Sequence, residues 1–179
     1  MNTFLARASI PLSILFSNAA FAEDLKIPID DLQSLKTFLQ TRQYQNFPVS
    51  EPEVHPSKNV HGTRIRTFLN KEMADGLGNR LAELPKNATA VKEVYTPEGV
   101  LDGWAVSIKL DDQSDYGTNW YWIEVVDLAK GGPGRVTSNE RGSGPEGRLC
   151  VSCHQSGYDY TLTSLPRAIA SPSARTNSK

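Results

Sequence analysis

The chain has 179 residues, 39% hydrophobic and 22% charged, which excludes large-scale disorder and suits one globular domain with a real core. Its formal net charge of −1 offers no basic excess for nucleic acid or an anionic membrane surface. With two cysteines, three histidines and two methionines, metal or redox chemistry is confined to a few positions.

Residues 1–22 read as an export signal. Arg7 supplies the positive start, residues 8–16 a short apolar core broken by Pro11, and Ala20-Phe21-Ala22 a small-x-small cleavage site, so cleavage is expected after Ala22. The apolar run falls short of the about 20 residues a bilayer span needs, and no later segment reaches that length. Loss of Arg7 leaves 18 basic against 20 acidic residues, a net charge of −2. The mature protein is therefore expected to be exported, periplasmic and without a membrane span.

The first predicted helix starts at Asp30 as N-cap, with Leu32, Leu35, Phe38 and Leu39 on one apolar stripe. Residues 47–60, rich in Pro, Ser and Glu, predict an irregular connection. A strand is expected over 63–69; Asn70 then caps a helix with Met73, Leu77, Leu81 and Leu84 on one face, ended by Pro85. Three strands follow at 90–96, 104–110 and 120–128, with Pro97-Glu98-Gly99 turning between the first two. In the middle one Trp104, Val106 and Ile108 alternate with Ala105, Ser107 and Lys109, so one face packs on a core and the other meets solvent or a cleft. The third, WYWIEVVDL, is apolar on both faces and is expected to be central, its aromatics in the core. Residues 131–148 predict a long loop without periodicity, and the chain after Leu165 a flexible polar tail. The organisation is thus a signal peptide (1–22), an N-terminal helix and connection (23–59), a main domain (60–165) and a tail (166–179).

That loop leads into CVSCH, residues 150–154, which holds both cysteines of the chain. Zinc is short of ligands here and strained by the adjacency of Cys153 and His154. A redox disulfide between Cys150 and Cys153 is the second reading, though such motifs open a helix after a strand in a βαβ unit and no such pattern is predicted. Covalent haem c uses all three residues: Cys150 and Cys153 form thioethers to the vinyl groups and His154 ligates the iron. Arg135, Arg141 and Arg148 are then candidate propionate partners, or simply solvated loop residues. For a sixth iron ligand the chain offers His55, His61 and Met73. None stands out, which favours an open distal position; a six-coordinate electron carrier using Met73 or His61 is the alternative.

The ordered set HGTRIRTFLN (61–70), NATAVKEVYTPEG (87–99), NWYWIEVV (119–126) and CVSCHQSGYDYTLT (150–163) resembles the cytochrome P-460 family, which includes the β-sheet cytochromes c′ (c′-beta). The resemblance covers 60–165 and implies an α+β fold, mainly an antiparallel sheet with flanking helices. It also implies one haem whose only protein axial ligand is His154, a homodimer, and small nitrogen ligands such as nitric oxide or hydroxylamine. In hydroxylamine-oxidising members, which pass electrons to a periplasmic acceptor, a lysine is joined to the porphyrin edge; that position matches Lys92. Those members also carry a distal acidic residue acting as base, whose position falls at Ala105, or at Trp104 with a one-residue slip. This departure moves weight from oxidation toward binding of a neutral diatomic, unless Glu93, Asp102 or Asp111 substitutes. The similarity extends to QSGYDY, making Tyr158 and Tyr160 packing residues beneath the proximal side.

Overall fold

The computed structural model describes residues 25–58, 60–165 and, as backbone, 169–170. The predicted signal peptide lies outside them, as does the tail apart from Ile169–Ala170. Among the described residues no helix is long and apolar enough to cross a membrane.

Helix α1 spans Leu32–Gln40. Its N-cap is Asp31, one residue later than expected, because the Asp31 carboxylate reaches the amides of Gln33 (3.3 Å) and Ser34 (2.8 Å). Leu35, Phe38 and Leu39 are its buried face, each worth about 1.5–3 kcal/mol on leaving water. The connection that follows contains two short strands, β1 (Val49–Ser50) and β2 (His55–Pro56), both paired to β3 (Arg64–Leu69). Asn70 caps α2 (Lys71–Gly78), accepting from the Met73 amide at 3.0 Å. The helix stops well before Pro85. Arg80 has a left-handed φ of 52°, and the chain doubles back so that Leu84 packs on Gly76, where a Cβ would lie 2.6 Å from Leu84 Cδ2. Leu84 is fully buried through this turn while Leu81 stays exposed, so the predicted four-residue stripe is split.

Strands β4 (Thr89–Tyr95), β5 (Leu101–Lys109) and β6 (Trp120–Val126) lie within one to three residues of their predicted limits. Residues 131–148 are not a loop. They hold β7 (Arg135–Arg141) and the start of α3 (Pro145–His154). In RVTSNER Val136 is the one apolar residue, so the strand has no hydrophobic period to read; it lies at the end of the sheet path and pairs with β6 alone. Together with β8 (Ile169–Ala170) these strands form an eight-stranded sheet in the order β7-β6-β5-β4-β3-β1-β8, with β2 also on β3, and every pairing antiparallel. The fold is therefore α+β, a mainly antiparallel sheet flanked by helices.

Each sheet face has its own core. On one, α1, Tyr44 and Phe47 cover Phe68, Val91, Trp104, Val106, Ile123 and Val125. Glu93 also lies on this side, fully buried and accepting from the Tyr44 hydroxyl (2.7 Å), the Tyr95 hydroxyl (2.6 Å) and Gln45 Nε2 (3.1 Å). On the other face Leu69, Met73, Leu84, Trp120 and Trp122 pack together, with Cys150 and Tyr160 against them. Strand β6 is internal and buries aromatics, as its two-sided apolarity predicts.

Candidate functional site

One cross-strand row forms the floor of a cavity. Thr67 pairs with Lys92, Lys92 with Ala105, Ala105 with Glu124 and Glu124 with Ser138. Side chains on a strand alternate, so the members of a row share a face. Lys92, Ala105, Glu124 and Ser138 line a cavity of about 230 Å³ on the side opposite α1. Helix α3 closes it with Leu149, Cys150, Cys153 and His154, and the segment before β3 contributes Val60 and His61.

The local sequence explains how α3 gets there. Gly144 caps it, Pro145 takes the first helical position and Glu146 faces its N-terminal dipole. Gly147 then lets the helix sit directly on the end of β7: a Cβ there would be 2.6 Å from the Arg141 carbonyl carbon and 3.0 Å from Gly142 Cα. Cys150 and Cys153 follow one turn apart, so both sulfurs share a helix face.

Neither thiol is joined to the other. Burial pushes the Cys150 thiol up from its ordinary pKa, and Ser138 Oγ lies 4.0 Å from its sulfur. A redox dithiol shows the opposite, a thiolate stabilised at a helix N-terminus; Cys150 is the sixth residue of α3.

His154 ends the helix. Its Nδ1 lies 2.9 Å from the Tyr160 carbonyl oxygen, and burial pushes its pKa down to about 4. The ring is thus neutral at pH 7. A carbonyl can only accept, so the single ring proton sits on Nδ1 and the lone pair on Nε2. The imidazole packs edge-on against Trp122 at 4.5 Å between centroids, with the His61 ring at 6.1 Å.

The Lys92 side chain makes no hydrogen bond or ion pair among the described residues, and burial lowers its pKa against a weaker opposing effect from Glu51. Desolvation of this kind enriches the free amine, which is a nucleophile.

No protein-family model matches the chain, and no curated protein matches it significantly in sequence.

The candidates from sequence divide cleanly. Lys92, Ala105, Cys150, Cys153, His154 and His61 meet at the cavity. Met73 is fully buried in the second core and His55 pairs with Glu51 at 3.0 Å, neither on the cavity wall. Trp104 points into the first core, where its indole N–H donates to the Tyr44 hydroxyl at 2.8 Å. None of the three suggested substitute acids reaches the cavity: Glu93 is on the opposite face, Asp102 accepts from the Ala129 amide, and Asp111 caps the Gln113 amide. Arg135 pairs with Asp127 and Arg148 donates to the Ser143 carbonyl; with Arg141 they too lie off the wall. Tyr160 packs on the second core and Tyr158 is 40% exposed, pairing with Thr161 in an isolated bridge.

Sequence reasoning missed Glu124. Its Oε1 lies 2.9 Å from His61 Nδ1, and its Oε2 accepts from the Thr137 hydroxyl at 2.7 Å. The His61 hydrogen bond holds this carboxyl below its ordinary pKa against the opposing effect of burial. The available signal was a lone acid in an otherwise apolar strand, at the parity of Trp120 and Trp122.

Proposed function

We propose that the protein is a periplasmic monohaem c-type cytochrome of the P-460/c′-beta kind. In this reading haem c is held by Cys150 and Cys153, ligated by His154, and used to bind or oxidise small nitrogen species such as nitric oxide and hydroxylamine. The observation that carries the reading is convergence on one cavity of two thiols on a shared helix face, a neutral imidazole with its proton held on Nδ1, and an unpaired amine. The residues fit the group in two further respects. Val60, Leu149 and Leu162, at the cavity wall, are 86%, 71% and 53% exposed, apolar surface that a porphyrin would cover. The Trp122 indole N–H, in a residue that also lines the cavity, is buried without a partner among the described residues. Among the described residues no three His, Cys, Asp or Glu side chains could hold a metal alone, a set that haem does not need because its porphyrin supplies the equatorial ligands.

When bound, haem supplies a redox-active iron with one coordination position for a small ligand. The chain's residues do the rest. His154 donates through Nε2 and keeps its orientation through the Tyr160 carbonyl. Glu124, held by His61 and Thr137, brings to the cavity wall the carboxylate that Ala105 lacks and can take a proton from a bound substrate. Lys92 stands beside Ala105 as the amine that would meet the porphyrin edge. Electrons would leave to a periplasmic acceptor, and the active unit would be a homodimer.

A second reading has its own observation. His61 lies 6.1 Å from His154 across the same cavity, whereas Met73 is shut in the core, so a six-coordinate electron carrier would use His61. One experiment separates the possibilities: the mature protein from a host that attaches c-type haem, examined by intact mass, tryptic haem-peptide mapping and its ferrous spectrum with and without nitric oxide. Thioether formation adds S–H across each vinyl group with no loss of atoms, so the mass should rise by one whole haem. No increment would overturn the proposal, and an increment with no nitric oxide response would select the carrier. A haem peptide containing Lys92 as well as Cys150 would establish the cross-link.

A further inference from the structure

The turn beyond α3 has a buried anchor. Lys109, the last residue of β5, is 0% exposed and its Nζ lies 2.7 Å from Asp159 Oδ2, itself on a side chain 3% exposed. The same oxygen accepts from the Leu84 amide at 2.6 Å, and Oδ1 accepts from the Ser114 hydroxyl. One carboxylate thus ties the chain exit to the end of β5, to the segment after α2 and to the turn before β6. Glu83 stands further off, 3.9 Å from Nζ and half exposed.

What this anchor holds is an unfavourable piece of backbone. Asp159 and Tyr160 both have left-handed φ angles, 42° and 61°, a costly pair for residues with side chains that persists only where the surroundings over-determine it. The Tyr160 ring adds a second constraint by closing over Gly117, where a Cβ would come within 2.8 Å of it. The result is a Tyr160 carbonyl delivered to His154 Nδ1.

We infer that the buried Lys109–Asp159 pair is a positioning device that holds the Tyr160 carbonyl against His154 and thereby sets the orientation and donor strength of the imidazole. Buried ion pairs contribute little net stability, whereas a fixed acceptor on the far nitrogen of a ligating histidine fixes its tautomer and raises its basicity. The inference deepens the proposed haem site and rests on that reading.

The test compares haem-loaded wild type with Asp159→Asn, Lys109→Met, the milder Ser114→Ala and a Glu83→Gln control. The first three should keep their haem, judged by mass, yet show a lower iron–histidine stretching frequency and a higher reduction potential, Ser114→Ala shifting less than the two pair variants and Glu83→Gln, which keeps an acceptor for the Ser114 amide, least of all. Folded variants whose frequency and potential match wild type would overturn the inference. If wild type takes up no haem, the haem reading fails separately. The pair is then judged from the ¹⁵N spectrum of labelled histidine: a wild-type Nδ1–H tautomer at His154 that becomes mixed in Ser114→Ala or Asp159→Asn supports it, and an unchanged tautomer overturns it.

Discussion

Replacing Gly147 by Ala should loosen the helix that carries the cysteines. The new Cβ would sit 2.6 Å from the Arg141 carbonyl carbon, and closer still to its oxygen, where ordinary contact begins at 3.4 Å. These obstacles are backbone, so no side chain can swing away, and α3 must retreat by more than the ~0.8 Å that the carbonyl carbon alone demands. That exceeds the ~0.5 Å within which a functional constellation has to be held. Overpacking of this sort costs about 1–3 kcal/mol, and Ala recovers about 0.5–1 kcal/mol over Gly inside a helix. The net loss of about 1–2 kcal/mol corresponds to a Tm lowered by ~2–8 °C for a domain of this size. Calorimetry of the haem-loaded protein measures this, with Ser152→Ala, exposed on the same helix, as control. A Gly147→Ala protein that melts at or above wild type with an unchanged haem spectrum would refute the account of how α3 is docked.

Asn70→Ala should destabilise by about 2–3 kcal/mol, because Asn70 accepts from the Met73 amide (3.0 Å) and the Thr89 amide (2.9 Å) and donates to the Asn87 carbonyl (2.8 Å). The urea midpoint should fall with its slope unchanged. Glu124→Gln should show a pH-dependent effect. The native carboxyl titrates below its ordinary value of 4.5, so its stabilising contribution is complete above that pH and is lost as pH falls through the lowered native pKa. The stability gap between wild type and Glu124→Gln, measured by denaturation across this range, should therefore shrink on acidification; a constant gap would contradict the His61–Glu124 hydrogen bond.

Where a single physical signal ruled, the structure was legible in the sequence. Alternation along 104–110 assigned Ala105, Ser107 and Lys109 to the face opposite Trp104 and Val106, and that face holds the cavity. Asn70 announced its helix because an amide cap needs no tertiary partner. The misses arose where tertiary contacts decide. Strand β7 forms by pairing with β6 and has almost no apolar residues to reveal it. Helix α2 ends early because packing of Leu84 on Gly76 outweighs the continuing apolar period. The acids that sequence offers as substitutes, Glu93, Asp102 and Asp111, lie within 12 positions of Ala105, whereas Glu124 is 19 positions away and adjacent to it only through the β5–β6 register. Register is not written in any one segment, so the CVSCH motif leads to His154 and the family resemblance to Lys92, but neither leads to their carboxylate neighbour.

Lys92 and Glu93 are consecutive, yet one opens into the cavity and the other into the aromatic core. A slip of one residue in β4 would exchange them and present a carboxylate where the amine now stands. The ladder irregularity between Val94 and Tyr95 lies between Lys92 and the turn at Thr96–Val100, where a change in turn length can be taken up before it reaches the row. The sign of the charge offered to whatever occupies the cavity is therefore governed from the far end of a hairpin, by counting residues rather than by choosing them.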